Sequence, residues 1–175
     1  MPVKRLLLSA LGLSLLLAAC SVSVTVPLPE QKVTVAALGD TLGQVIYPAQ
    51  AMEFPGVPAK SVEVSGTLEA NQPLTLTLNL YARLTDPASD PSCTALSDFT
   101  TTYAYACPVG PDDERVGSAT FALSQSTSLT LKGQNLTYGV QAGKLWLGVQ
   151  LNQALPAPQV EFTFKDLKAT VVAGL

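Results

Sequence analysis

The chain has no histidine among its 175 residues. That absence removes the Ser-His-Asp and Cys-His arrangements of nucleophilic catalysis and the imidazole ligands of most zinc sites. Cysteine is scarce too: three residues are present, too few for a thiolate metal centre that has no histidine to complete it. Asp, Glu, Lys and Arg make up only 13% of the chain, with a formal net charge of −3. Nucleic acid is met by clustered Lys and Arg, and here the basic residues are scattered, so no nucleic-acid partner is expected. Neither a G-x-S-x-G turn nor a phosphate-cradling glycine loop occurs. Paired carboxylates for glycoside hydrolysis meet only in three dimensions, but glutamate is sparse on the predicted strands. The expectation is a protein that is not an enzyme.

Long apolar runs are also missing, with one exception. Lys4 and Arg5 precede a leucine-rich stretch, residues 6–19, that is too short to span a bilayer and ends in Leu17-Ala18-Ala19-Cys20. The order of basic residues, apolar run, small residues and cysteine resembles the lipobox signal of bacterial lipoproteins. The resemblance implies that residues 1–19 are a signal peptide removed on export and that Cys20 carries a diacylglyceryl group on its thiol. Acylation of the new amino group, with palmitate for example, commonly follows in that family. The mature chain is then expected in the cell envelope, lipid-anchored to the cell membrane or outer membrane. Ser21, where many double-membrane bacteria place aspartate for inner-membrane retention, resembles outer-membrane sorting.

With Cys20 assigned to lipid, Cys93 and Cys107 remain, an even number in an oxidising compartment. A disulfide between them is expected, contributing about 3 kcal/mol for a loop of about fifteen residues.

The rest of the chain alternates with a period of two. Residues 21–26 place three valines opposite three hydroxyl side chains, an edge strand or extended lead-in interrupted by Pro27 and Pro29. Short strands are expected at 32–38 and 42–47 around Gly39-Asp40, and at 61–68 and 73–84 around a hairpin connection at 70–73. Further strands are read at 101–107, 118–123, 128–132, 136–141 and 144–151. The last stretch changes phase at Lys165-Asp166, which marks a bulge or tight turn. No amphipathic helix is expected beyond the signal. About ten short strands between turn signals predict an all-β protein, an antiparallel β-sandwich immunoglobulin-like in architecture, with a barrel as the alternative. The expected layout is a signal peptide (1–19), a lipidated cysteine with a short tether or first strand (20–31), and one β-sandwich domain (32–175).

Three features could carry binding. Asp86, Asp90, Asp112 and Asp113 lie in irregular acidic segments whose hard oxygens suit calcium, although no recognised calcium loop is present. Tyr81 and Trp146 fall on otherwise polar strand faces, where an aromatic ring can stack on a sugar or anchor a protein contact. The space between the sheets could hold a lipid or other hydrophobic ligand. The expected function is a lipid-anchored cell-envelope protein serving as a non-enzymatic binding or structural module, in contact with envelope protein or glycan. A carrier or sensor of a hydrophobic ligand is the alternative.

Overall fold

The strongest alternation builds the two longest strands. In β5 (Ser61–Arg83), Leu74, Leu76, Leu78 and Leu80 are buried while Thr75 and Thr77 face solvent. It pairs antiparallel with β8 (Asp113–Lys132) from Glu63 opposite Lys132 to Arg83 opposite Asp113. This ribbon is too long to lie flat over a single core, and it bends where residues 70–73 of β5 stand against only Gln125 of β8. Before the bend β5 pairs with β10 (Gln159–Ala173), and after it with β9 (Lys144–Leu151). One antiparallel sheet is thereby folded into two layers.

The first layer runs from β5 through β10 to β1 (Val22–Pro27) and β2 (Gln31–Ala36), which share the far edge of β10. The second runs from β5 through β9 to β3 (Val45–Pro48), β7 (Thr101–Cys107) and β6 (Thr94–Asp98), with β4 (Met52–Glu53) at the start of β9. Leucine, valine and phenylalanine side chains of both layers, such as Val64, Leu68, Leu80, Phe121, Phe162 and Leu147, form one shared core. The computed structural model describes residues 22–36 and 41–173, and within them the fold is an all-β antiparallel sandwich. The signal peptide, Cys20 and the Gly39-Asp40 turn lie outside the described residues.

Some expected boundaries differ, each for a local reason. Residues 70–73 are a corner within β5 rather than a hairpin: Ala70 still pairs with Phe162, Asn71 Oδ1 accepts from the Glu161 amide, and Pro73 sits where no ladder donor is needed. The strands expected at 118–123 and 128–132 are one strand, β8, interrupted by a bulge at Leu123 (φ +52°). The strand expected at 136–141 is instead a helix, α1 (Gln134–Ala142), closed by Gly143 in the left-handed conformation. Its buried residues Leu136, Gly139 and Val140 follow helical spacing. Its first amides, Gln134 N and Asn135 N, are capped by the Glu114 carboxylate from twenty positions upstream, a signal that no local window contains. The phase change at Lys165-Asp166 is a bulge, with Asp166 at φ +52°.

Two residues of β9 fix close contacts on its two sides. Between β3 and β4 the chain leaves β9, and the Leu147 amide there donates to Gln31 Oε1 at 3.0 Å, a side chain reaching across from β2. Gly148 lies on the outer face of β9 beneath Tyr47, where a Cβ would stand 2.5 Å from the ring and 2.6 Å from Val45. Both neighbours are fully buried, so neither can swing aside. Gly148→Ala is expected to destabilise the fold by about 1–3 kcal/mol through overpacking, measured as a lower urea midpoint with unchanged m-value.

Candidate functional site

The outer face of the second layer is not wet. Val45, Tyr47, Tyr81, Cys107 and Trp146 form a second buried cluster there, with Ala51, Cys93 and Tyr105 packed against it. Tyr81 is 8% and Trp146 3% exposed, which corrects the expectation of an open aromatic surface. The reason is covalent as well as steric. Cys93, directly before β6, is bonded to Cys107 at the end of β7, and the segment between Arg83 and Cys93 is drawn over the face. Tyr81 finds a partner for its hydroxyl in Gln150 Oε1 at 3.4 Å. The Lys144 ammonium stands 5.2 Å from the Trp146 ring centre, and the indole N–H has no hydrogen-bond partner among the described residues.

Arg83 organises the segment that covers this face. It is the last residue of β5 and only 1% exposed. Its Nε donates to the carbonyl (3.2 Å) and hydroxyl (3.0 Å) of Thr85. One terminal nitrogen donates to Asp113 Oδ1 at 3.4 Å, and the other makes a short ion pair with Asp90 and lies 3.6 Å from Asp112. Asp113, equally buried, also accepts the Tyr47 hydroxyl at 2.7 Å and the Gly110 amide at 2.8 Å. Asp112 accepts from Thr85 Oγ1 at 3.0 Å.

Of the four candidate calcium ligands, three converge, but they converge on a guanidinium. Asp86 is apart from them, accepting the Ala88 amide at 2.9 Å to cap the short helical turn Pro87–Ser89. Among the described residues no group of three or more acidic or cysteine side chains is arranged to hold a metal ion. Arg83 has the strand phase of Tyr81, on the face that alternation reads as polar. The readable signal is an arginine at the end of an apolar strand with Asp86 and Asp90 in the next seven residues, of which only Asp90 pairs with it.

The charges tune one another. Burial alone would lower the Arg83 pKa, but the hydrogen bond to Asp90 and the charges of Asp113 and Asp90 outweigh it and raise it further. Burial, the Asp113 charge and the bond to it push the Tyr47 phenol far above the usual tyrosine range, so it remains a donor. The Ser92 hydroxyl first, then Arg83 and the Ser92 amide, hold Asp90 down to about 2. Around Arg83 lies a cleft of about 440 Å³, rimmed by Pro91, Ser92, Pro108, Val109 and the exposed edge of Asp112. Its walls are ion-paired carboxylates with the Thr85, Ser89 and Ser92 hydroxyls beside them.

No protein-family model and no curated protein matches the chain. Among solved structures, a variant of the iron and alpha-ketoglutarate-dependent endoperoxidase NvfI aligns at 9% identity with a TM-score of 0.29, covering 87% of this chain and 63% of that one. A likeness at that level carries no argument about fold or chemistry.

Removing the guanidinium leaves buried Asp113 facing two further carboxylates. Arg83→Met is therefore expected to cost about 3–5 kcal/mol, measured by urea unfolding with the disulfide intact. A second expectation concerns acid. Because the folded pKa of Asp90 is depressed to about 2 from an ordinary value of about 3.9, its contribution is present above the ordinary value and lost as pH falls through the depressed one. Stability curves of the native protein and Asp90→Asn should therefore differ in slope between those two pH values and run parallel above them.

Proposed function

We propose that this protein is a lipid-anchored component of the bacterial cell envelope whose β-sandwich serves as a non-enzymatic interaction module for envelope protein or glycan. The observation that carries the reading is the join between signal and fold. The lipobox-like Leu17-Ala18-Ala19-Cys20 is followed almost at once by β1, which begins at Val22 and pairs with β10 through Ala173. A cleavage site directly ahead of the first strand leaves an intact domain and discards only the apolar leader. The Cys93–Cys107 disulfide suits an oxidising compartment outside the cytoplasm. Packing of both layers into one core of leucine, valine and phenylalanine favours an interaction surface over a ligand-filled interior.

The test is the mass of the native protein extracted from membranes. The expected species starts at Cys20, carries a diacylglyceryl group and is two hydrogens light for the disulfide. Cys20→Ser should abolish the lipid mass, leaving a chain whose leader is uncut or cut elsewhere. A soluble, unlipidated native protein would overturn the reading.

A further inference from the structure

The β6–β7 hairpin ends in a residue that its backbone does not favour. Asp98 pairs with Thr101 across a two-residue turn, Phe99-Thr100. Phe99 there has φ +34° and is fully exposed. Tight hairpin turns take Gly, Asn or Asp at positions of positive φ, because a large side chain is strained in that region. A phenylalanine at this place costs stability twice, through its backbone and through apolar surface left in water. The hairpin that presents it is not loose, since the Cys93–Cys107 bond staples its base.

The topology brings this tip to the end of the sandwich where the chain begins. In the first layer, Val22 pairs with Ala173, Val172 with Ser61 and Glu63 with Lys132. In the second, β9 starts at Lys144, opposite Glu53. The two ends meet: Phe54 N donates to Gly143 O, Val57 N to Val140 O and Lys60 N to Val172 O, with α1 laid across them. β7 runs the same way, from Cys107 opposite Val45 to Ala104 opposite Pro48 and on to the Phe99 turn. The N-terminal strand, α1 with its exposed Tyr138, and Phe99 therefore share one end. Leu123, also exposed, is beside the bend at the other end.

We infer that Phe99 is a membrane-seating residue: the stapled β6–β7 tip inserts its ring into the interfacial region of the bilayer that holds the lipid anchor. The inference rests on the proposed anchor at Cys20. From Val22 back to Cys20 the chain spans at most about 7 Å, which holds this end of the domain against the lipid surface. Aromatic side chains are favoured at that depth. The seat is apolar rather than electrostatic, because no basic cluster marks this end among the described residues: Lys132 and Lys144 are paired with Glu63 and Glu53, and Lys60 stands alone. Zwitterionic lipid should therefore suffice.

The experiment uses full-length lipidated protein carrying Phe99→Trp, reconstituted into phosphatidylcholine vesicles with and without brominated acyl chains, its Cys20 lipid verified by mass. The native protein, whose one tryptophan is buried, is the control. The expected result is blue-shifted emission from the new indole, at the depth where aromatic rings are favoured, that brominated lipid quenches, with the control unchanged. In detergent-free buffer, Phe99→Asn should raise the Tm of the domain, as relief of a strained turn requires. A new indole that stays red-emitting and unquenched on verified lipidated protein would overturn this inference while leaving the anchor reading standing. Absence of lipid on Cys20 would overturn both.

Discussion

Arg83 is taken out of water at the end of the longest strand, and that burial dictates what surrounds it. An isolated buried guanidinium is too costly to keep, so the segments around residues 85–93 and 108–113 must stay close enough to supply Asp90, Asp112, Asp113 and the Thr85 oxygens. Cys93, at the end of the first of these segments, packs with Ala51 and Tyr105 against the cluster that holds Tyr81 and Trp146, so the centre of the second layer is buried on its outer face as well. A sheet with two buried faces needs close-fitting residues on each. Gly148 under Tyr47 and the Asn79–Gln150 amide pair at 2.9 Å meet that need on the outer side.

Strand positions were legible because a half-buried strand writes its burial into alternate residues. Leu74 to Leu80, Leu145 to Leu151 and Val160 to Phe164 all face the core in the phase their spacing predicts. The joins were harder to read. Asn71-Gln72-Pro73 carries the chemistry of a turn, and it is a turn, but one that redirects a strand between layers rather than reversing it. Local residues encode a break in the ladder; which strand is paired afterwards depends on β9 and β10, far away in sequence. The helix was hidden for a related reason. Nine residues with a central glycine give a weak pattern, and the carboxylate that caps them belongs to β8.

The site was legible in its parts but not in its sense. The disulfide followed from counting cysteines, and the aspartates were visible as a group. What charge they gather around depends on where Arg83 points, and its phase in β5 put it opposite the core leucines, on a face that looked solvated. Tyr81 and Trp146 shared that face and were misread with it. The sequence pattern distinguishes two faces of a strand; it does not say whether the second is covered. Only the return of the 84–93 segment under the Cys93 bond decides that.

The covering segment is held by two constraints of different chemistry. The disulfide is indifferent to acid but yields to reduction, whereas the Arg83 network is indifferent to reduction but loses its Asp90 ion pair once that carboxylate is protonated. Under non-reducing conditions the covalent tie keeps residues 84–93 near the sheet when that ion pair is lost, so Asp90 can re-form it without a search over the whole chain. The same bond fixes the base of the β6–β7 hairpin. Rigidity at that base is what makes an exposed phenylalanine at the tip informative: on a loose loop its ring would fold back onto the protein, and on a stapled hairpin it is held out at the end of the domain where the chain begins.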